Sequence, residues 1–112
     1  MQYTITGRVI RGDGYGRKLG FPTVNLLTQA EEIPPEGVYA GVAMLDNKKY
    51  KAGIVIGPND KVEAHILGYS GDAYGREVIL EINKFLREYK KFNSEEELIM
   101  QIQKDILVCS QG

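Results

Sequence analysis

The chain has 112 residues, 43% of them hydrophobic and 26% charged, with a formal net charge of −1. That length suits one domain with one core, and the charge balance offers no basic face for nucleic acid. A single Cys and a single His exclude an internal disulfide and a Cys/His zinc site, and no apolar run approaches the roughly 20 residues of a membrane-spanning helix.

Met1-Gln2-Tyr3-Thr4 shows no basic segment followed by an apolar stretch. With the lone Cys109 this makes a cytoplasmic protein, residues 1–112 forming a single domain, the expectation. Tyr3 to Ile10 reads as a first strand. Arg11 to Gly20 is a glycine-rich loop, and Phe21 to Leu27 is extended, with Pro22 unsuited to a central ladder. Pro34-Pro35 marks a break. From Gly37 to Leu45 the residues alternate, so Val38, Ala40, Val42 and Met44 share one face. Asp46-Asn47 is a turn signal, and Tyr50, Ala52, Ile54 and Ile56 alternate beyond it, which predicts a hairpin. Gly57 to Asp60 is another turn. Val62, Ala64 and Ile66 then point one way and Glu63, His65 and Leu67 the other. Gly68 to Gly75 is a loop, and Val78, Leu80 and Ile82 mark a last strand.

The period changes in the tail. Ser94-Glu95-Glu96-Glu97 forms a capping box, its acidic residues suit a helix N-terminus, and Leu98, Ile99, Ile102 and Ile106 recur at helical spacing. The pattern predicts one amphipathic helix from Glu95 to about Val108, lying across an antiparallel barrel that is closed or nearly so.

Four constellations have chemical potential. The loop around Gly12, Gly14 and Gly16 has neither a P-loop nor a dinucleotide spacing. It offers backbone N–H groups and the cations Arg17 and Lys18 to phosphate, or it is a plain connection. Thr23 and Asn25, two apart in an extended segment, project to one side. They present a hydroxyl and an amide oxygen suited to Mg²⁺, or they are a turn-forming pair. Glu63 and His65 share one strand face, where a carboxylate can accept a proton from an attacking hydroxyl; the other reading is a solvated face with a structural His. Phe85 to Phe92 joins the last strand to the helix, as a basic connection with aromatic plugs or as a flap against a flat aromatic ligand.

At these residues the chain resembles the ATP-dependent riboflavin kinase family, which includes the C-terminal module of bacterial bifunctional FAD synthetases. The likeness runs in order through Gly7-Arg8-Val9-Ile10-Arg11-Gly12, Gly16 to Leu26, Pro34 to Ala40, Val62 to Leu67, Tyr74-Gly75, Leu86-Arg87, Lys91-Phe92 and Gln101 to Asp105. Its most specific element is Lys18-Leu19-Gly20-Phe21-Pro22-Thr23-Val24-Asn25. The resemblance implies a six-stranded antiparallel Greek-key barrel with one C-terminal helix. It implies transfer of the ATP γ-phosphate to the 5′-hydroxyl of riboflavin, with Mg²⁺ as cofactor.

It also implies roles for single residues. Glu63 matches the catalytic base, and Thr23 and Asn25 match the metal and nucleotide pair. Gly12 and Arg17 match phosphate-loop contacts, while His65 and Tyr74 match positions beside the nucleotide. Arg87, Lys90 and Phe92 match positions that contact the flavin. The expected partners are the two small-molecule substrates, with neither nucleic acid nor membrane, and the expected state is a monomer. No adenylyltransferase segment precedes Met1, so FAD synthesis by the chain is not expected. Three features depart from the family: Val24 stands for Ala, the turn between Ile56 and Val62 is short, and Tyr89 replaces the usual Glu. The last two favour a second reading, a non-catalytic flavin- or nucleotide-binding regulatory barrel. Joint retention of Thr23, Asn25 and Glu63 disfavours it. The kinase reading requires Glu63 to face the same crevice as Thr23 and Asn25.

Overall fold

The computed structural model describes residues 3–10, 23–28, 32–69 and 73–111. Gly12 and Arg17, and with them the glycine-rich loop, lie outside the described residues. Six strands, β1 (Tyr3–Ile10), β2 (Val24–Thr28), β3 (Gly37–Leu45), β4 (Lys48–Ile56), β5 (Val62–Ile66) and β6 (Glu77–Arg87), precede one helix, α1 (Glu95–Gln111). The strands close into a barrel in the order β1-β2-β5-β4-β3-β6, with every neighbouring pair antiparallel. The hairpin-linked run β3, β4, β5 has β6 returning beside β3, which is the Greek-key arrangement. Closure pairs each of the six described strands on both sides.

Alternation fills the interior. Ile5, Leu45, Ile54, Ile56, Leu80 and Ile82 are fully buried, joined by Val62, Ala64 and Val78. The alternating apolar sets of β4, β5 and β6 are the ones that face the core, Tyr50 only in part. On β3 the four residues that share a face, Val38, Ala40, Val42 and Met44, lie on the outer wall, and Tyr39, Ala43 and Leu45 fill the core. Tyr39 reaches the interior because its hydroxyl has a partner, donating to the Pro35 carbonyl at 2.7 Å. Burial, with Tyr3 nearby, pushes its phenol pKa up.

The β3–β4 hairpin turns at Asp46 and Asn47, both at positive φ (53° and 65°). That is the condition of a type I′ turn, and Asn and Asp meet it at low cost. The β4–β5 turn runs through Pro58–Asp60 with Asn59 and Asp60 at positive φ (60° and 58°), and a hydrogen bond from Gly57 N–H to the Lys61 carbonyl at 2.8 Å closes it.

Helix α1 begins where the capping box predicts, and the Glu97 N–H donates to Ser94 Oγ at 3.2 Å. It runs to Gln111, three residues beyond the expected end. Lys51 Nζ donates to the Ser110 carbonyl at 2.7 Å, which meets an orphan acceptor of the last turn. Leu98, Ile99, Ile102 and Ile106 are half-buried as expected. Cys109 extends the stripe and packs over Gly53 of β4. Burial, with Asp105 one turn away, pushes the Cys109 thiol pKa up. Ser94→Ala should lower the unfolding free energy by about 1 kcal/mol, read as a lower urea midpoint with an unchanged m-value.

Candidate functional site

Sheet register brings the central residues together. Asn25 on β2 stands directly opposite Glu63 on β5, and Val24 opposite Ala64. Directly opposed residues share a face, with Cα atoms about 5 Å apart. Ala64 and its neighbours Val62 and Ile66 point into the core, so Glu63 and Asn25 both project from the outer wall. Thr23 immediately precedes β2 and, two residues from Asn25, lies on the same side by alternation. His65 follows Glu63 on that face and pairs with Gly53 of β4. Glu63 and Asn25 therefore project from one side of the outer wall, with Thr23 next to them in the chain.

Glu63 has a charged neighbour that the sequence reading did not single out. Lys61 Nζ lies 3.1 Å from Glu63 Oε1, with the lysine half exposed. The i, i+2 spacing from Lys61, just before β5, to Glu63 was the available signal for it. A pair this open contributes little to stability.

Tyr74 is half exposed in the turn before β6. Gly75 N–H donates to the Val9 carbonyl at 2.9 Å, which ties that turn to the end of β1, beside Ile10. Ile10 in turn pairs with Asn25.

Arg87, Lys90 and Phe92 form a second group. Arg87 is the last residue of β6, so Phe85, Leu86 and Arg87 belong to the strand and the connection to α1 starts at residue 88. The Arg87 guanidinium lies 5.6 Å from the Phe92 ring centroid and Lys90 Nζ lies 5.4 Å from it, so two cations border one ring. The register links the two groups through Arg87–Val38, Val38–Val55, Val55–Glu63 and Glu63–Asn25. Three strand spacings separate Glu63 from Arg87, roughly 14 Å of barrel wall.

The sequence reading also passed over what holds Arg87. Its Nε donates to both Asp105 carboxylate oxygens at 3.2 and 3.3 Å, and its Nη2 donates to Oδ2 at 2.9 Å. Nη1 donates to the Glu88 carbonyl at 3.1 Å, and Gln101 Nε2 donates to Asp105 Oδ1 at 3.0 Å. A signal was present in the sequence. An Asp in the C-terminal half of a helix opposes the dipole and calls for a cationic partner.

The donor set around Asn25 is a hydroxyl, a carboxamide oxygen and a carboxylate, all hard oxygens that fit Mg²⁺. Among the described residues, no group of three or more His, Cys, Asp or Glu side chains is arranged to hold a metal. A metal at this wall would therefore take much of its coordination from substrate phosphates and water. Among the described residues, no helix is long and apolar enough to cross a membrane.

Comparison with known proteins gives matches across the chain. The family model "Flavokinase: Riboflavin kinase" matches residues 1–111. A bifunctional riboflavin kinase/FMN adenylyltransferase of Escherichia coli is 34% identical over 119 aligned positions, covering 96% of this chain and 37% of the relative. The chain thus spans little more than a third of the length of that curated relative. Among solved structures, a macrolide-efflux protein from Streptococcus pneumoniae superposes with a TM-score of 0.93 at 28% identity, covering 97% of this chain and 38% of that one. The riboflavin kinase of Trypanosoma brucei superposes with a TM-score of 0.71 at 20% identity, covering 98% and 78%, a likeness of fold.

Proposed function

Because the chain belongs to the riboflavin kinase family, we propose that it transfers the γ-phosphate of ATP to the 5′-hydroxyl of riboflavin, giving FMN and ADP. The observation that carries this reading is the direct pairing of Asn25 with Glu63 on the outer wall. It sets a carboxylate beside oxygen donors suited to a metal-bound triphosphate. The second group, about 14 Å along the wall, suits the other end of the same substrate. Riboflavin has a flat ring at one end and a ribityl chain with its terminal hydroxyl at the other.

In this mechanism Glu63 orients the 5′-hydroxyl and accepts its proton as the oxygen attacks phosphorus. Gly12 and Arg17 contact the phosphates, and His65 and Tyr74 flank the nucleotide. Thr23 and Asn25 would hold Mg²⁺, which supplies neutralisation of the phosphate charge. Arg87, Lys90 and Phe92 hold the ring. The protein's main contribution is alignment, which lowers the barrier by as much as about 7–11 kcal/mol when two reactants are held in line.

Incubation with riboflavin and Mg·ATP, followed by chromatography, tests the proposal directly. FMN that accumulates with time and enzyme concentration supports it, and riboflavin recovered unchanged rejects it. Thr23→Val keeps the side-chain shape and removes the hydroxyl. It should raise the KM for Mg·ATP about tenfold at limiting Mg²⁺. An unchanged KM would take Thr23 out of the metal and nucleotide pair.

A further inference from the structure

We propose that Asp105, supported by Gln101, is a positioning residue that fixes Arg87 as a rigid post for Phe92 and thereby sets riboflavin affinity from the C-terminal helix. The inference rests on the riboflavin kinase reading and adds to its site two helix residues that touch neither substrate.

The Arg87 side chain is engaged on several edges. Three donor contacts go to the Asp105 carboxylate, one goes to the Glu88 carbonyl, and the Phe92 ring lies beside it. Side-chain exposure is 23% for Arg87 and 16% for Asp105, so the pair is sheltered and its geometry is held more firmly than that of a surface ion pair. Gln101, one turn before Asp105, occupies Oδ1 and fixes the carboxylate rotamer.

The connection over residues 88–94 is therefore bracketed. It leaves the strand at Arg87 and enters α1 beyond Ser94, and the Arg87–Asp105 pair ties that strand end to the body of the helix. Phe92, within the bracket, is placed by contact with Arg87 and Lys90.

The same pairing selects the chemistry of the ligand. A guanidinium whose charge is already matched by a carboxylate is a weak site for a further phosphate. It remains a flat, polarised plate beside an aromatic ring, suited to a neutral planar heterocycle. Arg87 accordingly acts as a fixed wall of the ring site, and the helix carboxylate keeps it there.

The test uses the full chain and two readouts: riboflavin binding by fluorescence quenching, and FMN formation with KM measured for each substrate. Asp105→Asn keeps the shape and removes the charge. It should weaken riboflavin binding about tenfold and leave the KM for ATP within about twofold, because a small misplacement at one end of a site is felt there first. Gln101→Leu should act in the same direction with a smaller effect. Ile102→Val, on the apolar stripe of the helix, loosens packing without touching Arg87 and should leave both constants at wild-type values.

Riboflavin affinity unchanged in Asp105→Asn, in a wild type that makes FMN, overturns the inference alone. So does a loss shared equally with ATP or reproduced by Ile102→Val. A wild type that binds riboflavin and forms no FMN overturns the kinase reading, and the affinity ratio still decides the role of Asp105. A wild type that does not bind riboflavin overturns both.

Discussion

Glu63→Gln is expected to lower kcat for FMN formation by roughly 10²- to 10⁴-fold while ATP binding stays near wild type. Gln has the size of Glu and still accepts a hydrogen bond, so the 5′-hydroxyl is still held, but Gln cannot take its proton. The substitution also breaks the contact with Lys61 at 3.1 Å. That pair is open to solvent, so the cost in stability should stay within about 1 kcal/mol and a thermal melt should scarcely move. The predicted pattern is a fall in kcat with an intact fold and an unchanged KM for ATP. Full turnover by the variant would remove Glu63 from the base role, and a parallel loss of ATP affinity would recast it as part of the nucleotide pocket.

Gly41→Ala should destabilise the barrel by about 3 kcal/mol, a large share of the ~5–15 kcal/mol that holds a domain of this kind together. A Cβ at position 41 would clash with the Glu81 carbonyl oxygen and stand 2.9 Å from Ile54 Cδ1. The first contact is backbone within the β3–β6 ladder, at a register shift between Ala40 and Gly41, so relief requires the two strands to part. Gly53→Ala is the matched control. Its Cβ would meet only Cys109 Sγ, at 3.4 Å, and it gains the same reduction in unfolded-chain freedom. The urea midpoint should fall sharply for Gly41→Ala and move little for Gly53→Ala. Equal midpoints would mean that β3 and β6 are less tightly apposed than described.

Much of this architecture is legible in the sequence because alternation is local. The bounds of β1, the inward residues of β4, β5 and β6, and the cap at Ser94 follow from near neighbours alone. The outward placement of Val38, Ala40, Val42 and Met44 does not. Both faces of β3 are apolar, and which one turns inward depends on the helix that later covers the other. The end of β6 is hard to read for a related reason. After Ile82, residues 83–85 are exposed and the pairing with β3 is irregular, so period-2 alternation fails before the strand ends.

The site divides the same way. Thr23 with Asn25, and Glu63 with His65, each share a face by spacing. The opposition of Asn25 to Glu63 is a matter of register between strands almost forty positions apart, and no local pattern specifies it. Asp105 escaped the reading because its partner Arg87 lies across the connection, although the unfavourable dipole position marked it.

The candidate site residues on β2 and β5 project from the outside of a barrel whose core is mostly aliphatic. On β5, Val62, Ala64 and Ile66 fill that core, and the alternate positions Glu63 and His65 lie outside it. Substitutions at 23, 25, 63 and 65 should therefore be tolerated by the fold whatever they do to activity, since substitutions off the core generally change stability by about 0.5 kcal/mol or less.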